Sequence, residues 1–487
     1  MTGKLKHQAL WSALLQFSRF GGNAVLFLVM ARFLSLEEIG AFGMAYAPIR
    51  WTQVLLKTGV SDSVVVTLRK AGQGQQTRAV FDALFWLAIG FSGLIIALIA
   101  AIAFALQIVL SSEQPVSEMM WVLSAVPLAF GLAAVPEGLL RKNLQIRSLA
   151  LRTLAVQLAS AGLAIWLAMQ GAGGWALVGF AVLNAVLSSA ISIAMARYWP
   201  QHGPDVAAIR AEFRQTSTIS ARALVANGVY ALLQFSIGLG LGLAAAGAFQ
   251  IAQRVYQILD ALCLAPIRFL VLPLFSREAE KRGGALSADT LRRALGLTGL
   301  ISAPVYLGTI VVAGPLLQRV IGPENASQSL PALQLLCLLG LSMASVTVLT
   351  QALTVAGHAG LALRRTIWTL CATALLALPG LLYSVEAVAL GFVIASYLVL
   401  AVFFTRLEPI FGLSGKTAFE AVARPYLAAA LSLGLVWVTS RGLATALGWP
   451  EQAVLFGLLV PGVALYAVLA KYLAPEATQH LRSALKR

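Results

Sequence analysis

The chain has 487 residues, of which 59% are hydrophobic and 11% charged, and its mean hydropathy is +0.84. Soluble domains carry about 25% charged residues, so a chain this apolar lacks the polar side chains to cover a water-facing surface, and a soluble globular protein is excluded. The net charge of +16 does not point to nucleic acid, because the basic residues are scattered through short connections and form no module, and cytoplasmic loops of membrane proteins collect Lys and Arg.

The expected fold is all-α, a polytopic membrane protein of about fourteen transmembrane helices. Lys4 and Lys6 resemble a charged leader, but Arg19 interrupts the apolar run and no A-x-A-like site follows, so the start is read as a first span and not as a cleavable signal. The first six spans are predicted over residues 10–33, 39–66, 79–106, 119–139, 148–169 and 175–198. A polar stretch, 199–217, follows. The next six are predicted over 218–241, 248–275, 294–314, 333–356, 366–383 and 387–404. After a second polar break, 406–420, two more are expected over 421–438 and 453–470.

Loop charge orients these spans. With both termini in the cytoplasm, the inner connections carry Arg69-Lys70, Arg141-Lys142, Arg210 with Arg214, Arg277 with Lys281-Arg282, Arg364-Arg365, and Arg406 with Lys416. The opposite loops carry Glu37-Glu38, Glu113, Glu118, Glu324, Glu386 and Glu451, with only Arg32, Arg319 and Arg441 as bases. This asymmetry follows the positive-inside rule at nearly every loop and supports an even number of spans.

A repeat accompanies the topology. Gly40-Ala41-Phe42 opens the second span and Gly247-Ala248-Phe249 opens the eighth, 207 residues on. The expected organisation is therefore an N-lobe of six helices over 1–198, a cytoplasmic linker over 199–217, a C-lobe of six helices over 218–405, and two additional helices over 421–470.

Ionisable groups inside the membrane are costly, by roughly 2.5–3.5 kcal/mol near the bilayer centre on insertion scales, and their default reading is functional. Arg50, Gln53 and Lys57 recur at three and four residues on the second span, one helix face. Gln250, Gln253, Arg254, Gln257 and Asp260 do so on the eighth, Ser12, Gln16, Arg19 and Asn23 on the first, and Asn227, Tyr230 and Gln234 on the seventh. Such polar faces are expected to surround a wet cavity. Bases outnumber acids there, which invites an anionic ligand, and the Arg fork suits phosphate. The candidate binding residues are Arg19, Arg50, Lys57, Arg254 and Arg268, with Asn23, Gln53, Gln234, Gln250 and Gln257. Arg268 lies late in its span, where snorkelling to the surface competes with a cavity role. The amides serve interhelical hydrogen bonding equally well.

Other chemistries find no support. Cys263, Cys337 and Cys371 lie in apolar segments without CxxC pairing and read as packing residues. His7, His202, His358 and His480 lack metal-ligand spacing, and no GxxxxGK[ST], GxSxG or HExxH occurs, so neither a metal, a cofactor nor catalysis is expected. Proton or sodium coupling stays open.

The stretch Leu10-Trp11-Ser12-Ala13, then Phe17 to Gly22, then Ala31 to Gly43 with its A-R-x-L-S-x-E-x-x-G pattern, resembles bacterial polysaccharide-export flippases. These are the Wzx-like translocases of the multidrug/oligosaccharidyl-lipid/polysaccharide exporter superfamily. The resemblance implies two six-helix lobes around a central cavity in the bacterial inner membrane. It implies a transporter that moves an undecaprenyl-pyrophosphate-linked oligosaccharide to the periplasmic leaflet. Its partners would be that lipid-linked oligosaccharide, membrane lipids and other polysaccharide-assembly membrane proteins. Related lipid II flippases carry cations on the first, second and eighth helices, where Arg19, Arg50 and Arg254 stand here. Two departures are the lack of an Arg midway along the seventh span and of an acidic cluster fit for sodium. A multidrug cation antiporter of the same superfamily is a second reading, disfavoured by the basic stripes. A polytopic polysaccharide polymerase or ligase is a third, disfavoured by the short outer loops.

Overall fold

Apolar runs of twenty or more residues leave the backbone one local way to satisfy its hydrogen bonds in lipid, and every described element is helical. The structure, a computed structural model, describes residues 23–61, 63–64, 75–109, 115–142, 146–281, 286–448 and 450–479. The helices are α1 Asn23–Met30, α2 Leu36–Val54 running into a π-helical turn Leu55–Val60, α3 Gln75–Val109, α4 Val116–Leu123, α5 Ala125–Lys142, α6 Ile146–Met169 and α7 Trp175–Ala196. They continue with α8 Val206–Gly240, α9 Leu243–Lys281, α10 Ala288–Ile321, α11 Pro323–Val355, α12 Ala359–Ala377, α13 Val385–Thr405, the short α14 Glu408–Phe411, α15 Gly415–Leu447 and α16 Glu451–Leu473.

Local chemistry sets several starts. Ser35 caps α2 in a reciprocal box: its hydroxyl accepts from the Glu38 amide at 3.2 Å, and the Glu38 carboxylate accepts from the Ser35 amide at 2.8 Å. Asp205 caps α8 by accepting from the amides of Ala207 and Ala208 at 2.9 and 3.4 Å. That cap explains a difference from the expected linker, since 199–217 is non-helical only as far as residue 205. Likewise α12 begins before Arg364, which places Arg364 and Arg365 within the helix and not in the connection.

Ten segments are long and apolar enough to cross a membrane: α3, the α4–α5 pair, α6, α7, α10, α11, α12, α13, α15 and α16. They coincide with ten of the fourteen expected spans. Of the other four, the first and second include residues outside the described set, and the seventh and eighth include side chains outside it. Large apolar side chains lie exposed along these helices, among them Leu98, Leu158, Leu375, Leu431 and Val460. Lipid is the solvent such faces require, and the chain is a multi-pass membrane protein.

Contacts divide the chain into two units, Met1–Gln250 and Ile251–Arg487. In the first, α2 packs on α8 and α4, α5 packs between α3 and α7, and α6 packs on α7. In the second, α10 packs on α11 and α15, α13 packs on α11 and α12, and α15 packs on α16. The last two helices are tied in by tyrosines. The Tyr426 hydroxyl donates to the Leu341 carbonyl and the Tyr466 hydroxyl to the Leu300 carbonyl, each at 2.7 Å. A core of Leu300, Ala303, Ala428, Ala429, Tyr466 and Ala470 lies around them.

A buried acid holds the segment between α7 and α8. Arg197 takes the left-handed conformation at φ 47°, which turns the chain at the end of α7. Asp82 of α3, 2% exposed, then accepts from the Tyr198 hydroxyl at 2.6 Å, the Gln201 and His202 amides at 3.2 and 3.1 Å, and pairs with His202 Nδ1 at 2.7 Å. The Trp86 indole donates to the His202 carbonyl at 3.0 Å.

Candidate functional site

The two repeat glycines meet each other. A Cβ on Gly40 would lie 2.7 Å from the carbonyl carbon of Leu243 and 2.9 Å from the amide nitrogen of Gly247. A Cβ on Gly247 would lie 2.8 Å from the carbonyl carbon of Leu36. The contact is reciprocal in sequence as well: Leu36 and Leu243, like Gly40 and Gly247, are separated by the same 207 positions (243 − 36 and 247 − 40). Only residues without Cβ let the two backbones approach this closely. One turn further along, the symmetry breaks. Gly43 faces Gln250, whose Cδ would stand 2.7 Å from a Cβ on Gly43, and Gln234 Nε2 would stand as close. Gln234 Nε2 donates to the Ala246 carbonyl at 3.0 Å. The side-chain oxygens of Gln234 and Gln250 are buried without a hydrogen-bond partner among the described residues.

Deeper along α2, Phe42 and Tyr46 stack with centroids 5.3 Å apart. Arg50, half-buried, lies beside Tyr46 and beside Tyr230 of α8, so the structure brings together residues of two sequence stripes. The Trp51 indole donates to the Leu224 carbonyl at 2.9 Å, and Gly228 leaves room for the ring. Gln53 is buried with its Oε1 unpartnered. The π-helical turn begins two residues later and widens the helix, which alters the register that α-helical spacing gives Lys57. Its ammonium sits 3.6 Å from the centre of the Phe130 ring of α5.

In the second unit, Gln253 is 1% and Arg254 9% exposed. Arg254 Nη1 donates to Gln257 Oε1 at 3.3 Å, one turn on, while Gln257 and Asp260 are half-buried. Tyr256 stacks on Tyr306 of α10 at 6.1 Å, and Gly340 of α11 makes space for the Tyr306 ring. Arg19 lies outside the described residues. Asn23 and Arg268 fall in α1 and α9, with their side chains outside the described set. Among the described residues no three His, Cys, Asp or Glu side chains converge as metal ligands do.

Two buried arginines escaped the sequence reading. Arg152 of α6 bonds to Ser192 of α7 and lies 3.9 Å from Glu137 of α5, which also pairs with Arg141 at 3.1 Å. Arg365 of α12 is 9% exposed while Arg364 beside it is exposed. Threonines at 369 and 373 on the same face were the available signal.

Comparison with known proteins agrees with the resemblance read from residues 10–43. The family of polysaccharide biosynthesis proteins is matched over residues 29–330. A curated relative, the succinoglycan biosynthesis transport protein ExoT of Rhizobium meliloti, is 24% identical over 336 residues, 67% of this chain and 64% of the relative, so the chain spans under two thirds of that relative's length. Among solved structures, the lipid II flippase MurJ in an inward closed conformation is similar with a TM-score of 0.74 at 15% identity, covering 95% of this chain and 98% of that one. A multidrug resistance MATE family transporter in an inward-facing conformation is similar with a TM-score of 0.61 at 15% identity, covering 81% and 94%. Both likenesses are likenesses of fold.

Proposed function

Because the chain belongs to the family of polysaccharide biosynthesis proteins, we propose that it carries a polyprenyl-pyrophosphate-linked oligosaccharide from the cytoplasmic to the periplasmic leaflet by alternating access. Pyrophosphate and sugar hydroxyls pay a large desolvation cost in hydrocarbon, so the headgroup needs polar side chains along its path while the polyprenyl tail stays in lipid. The observation that carries the proposal is arginine beside polar side chains on the helices expected as the second and eighth spans: Arg50 beside two tyrosines, and Arg254 on Gln257. In this reading Arg50 and Arg254, with Arg19 and Lys57, take the pyrophosphate, and Gln53, Gln234, Gln250 and Gln257 bond the sugars. The ExoT and MurJ likenesses support a transporter over an enzyme. The loop charges support an inner-membrane orientation with both termini in the cytoplasm. The reciprocal Gly40–Gly247 contact supports a duplication of six spans, with lobes at 1–198 and 218–405 and two helices added over 421–470. A gradient of protons or sodium would supply the energy.

The test is translocation of lipid-linked oligosaccharide in proteoliposomes by the Arg50→Ala and Arg254→Ala variants, separately and together. Loss of one to two orders of magnitude in rate, with normal insertion, is the expected result. Wild-type transport by the double variant sinks the assignment of the pyrophosphate to these arginines.

A further inference from the structure

Arg365 is a cation inside the protein with no anion beside it among the described residues. It lies six residues into α12, about 9 Å along the helix from its start at roughly 1.5 Å per residue. Among the described residues its one side-chain polar contact is Nη2 to the hydroxyl of the adjacent Thr366, at 3.3 Å, and its buried Nε has no partner there. It joins no ion pair among the described residues. The face it shares runs Ala362, Arg365, Thr369, Thr373, Ala377, all buried, on a helix packed against α11 and α13. The Thr369 hydroxyl donates to the Arg365 carbonyl at 3.0 Å, and the buried Thr373 hydroxyl has no partner among the described residues. Arg152, equally buried, shows how this chain treats a cation that only holds helices together: it supplies Glu137 and Ser192.

A buried cation that stays unneutralised in lipid is among the costlier features a membrane helix can carry. Relief by snorkelling is not taken, since Arg364 points to the exterior while Arg365 does not. The remaining relief is an anion from outside the chain, and the planar five-donor fork matches the oxygens of phosphate. We propose that Arg365 is the anchor of a second phosphate-binding site, on α12, with Arg364 at its rim. Its ligand is a phosphate group, carried by an anionic lipid headgroup of the adjoining leaflet or by a free phosphate compound. This site is separate from the pyrophosphate residues assigned above and does not depend on them.

The test is thermal unfolding of the purified full-length chain in neutral detergent, titrated with short-chain phosphatidylglycerol, with phosphatidylcholine, and with inorganic pyrophosphate. The expected result is a concentration-dependent rise in Tm with phosphatidylglycerol or pyrophosphate that phosphatidylcholine does not reproduce. Arg365→Met removes the charge at similar volume and is expected to weaken that apparent binding at least tenfold. A rise with phosphatidylglycerol alone that Arg365→Met weakens assigns the lipid headgroup, and a rise with pyrophosphate alone that Arg365→Met weakens assigns the free compound. No rise with either anion overturns the proposal, as does an equal rise in wild type and Arg365→Met. If Arg365→Met fails to fold, Arg365→Lys, which keeps the charge and loses the fork, carries the test. It is expected to bind several-fold more weakly, and wild-type binding by it overturns the proposal.

Discussion

Replacing Gly40 by Ala puts a methyl where the carbonyl carbon of Leu243 stands 2.7 Å away and the amide of Gly247 2.9 Å away. Real Cβ atoms essentially never approach other atoms within 3.0 Å, and both neighbours are backbone, so no side-chain rotation relieves the clash. The two helix starts must separate. Overpacking of this kind costs about 1–3 kcal/mol, and a backbone neighbour places Gly40→Ala near the upper end. Gly247→Ala, 2.8 Å from the Leu36 carbonyl carbon, is expected to cost the same. Because either methyl forces apart the same pair of segments, the double variant is expected to cost clearly less than the sum. Gly90 of α3 is the control, since a Cβ there meets nothing within 4 Å; Gly90→Ala is expected to be neutral or stabilising by up to about 1 kcal/mol. Unfolding followed by tryptophan fluorescence reads all four variants, with Trp51 within the packed region. Additive costs for Gly40→Ala and Gly247→Ala, or a Gly40→Ala variant as stable as Gly90→Ala, would refute the reciprocal crossing.

Four further outcomes follow from polar contacts, two buried and two exposed. Tyr198→Phe removes a 2.6 Å bond to the buried Asp82 carboxylate and is expected to cost about 1.5–3 kcal/mol in the same unfolding assay. His202→Ala keeps both backbone donors to Asp82 and loses a side chain that is 66% exposed, so its cost should stay below about 1 kcal/mol. Arg152→Ala takes a buried guanidinium away from Glu137 and Ser192, at a cost of about 3 kcal/mol or more, whereas Arg441→Ala at the exposed Glu451 pair should change stability by less than about 1 kcal/mol.

How much of this was legible in the chain itself depends on the range of the physics. Partition into lipid is a property of some twenty consecutive residues, so hydropathy located ten spans that the structure also finds, whereas α2 starts at Leu36, set by the Ser35–Glu38 box, before the residue 39 that hydropathy gave. The 207-residue offset was legible too, because the two Gly-Ala-Phe triplets can be read without knowing where they lie. Helical spacing placed Arg50 and Tyr230 on polar stripes. It did not pair them, and it carried Lys57 past a π-helical turn that changes its register toward Phe130.

What only the tertiary structure decided is which partner each group meets. Nothing near Gly40 in sequence announces Leu243, nothing near Asp82 announces Tyr198, and Arg364 and Arg365 are indistinguishable as neighbours until packing against α11 and α13 buries one and leaves the other outside. Membrane residence follows from side-chain transfer energies that add along the chain. Pairing follows from contacts between different helices, and no local pattern contains them.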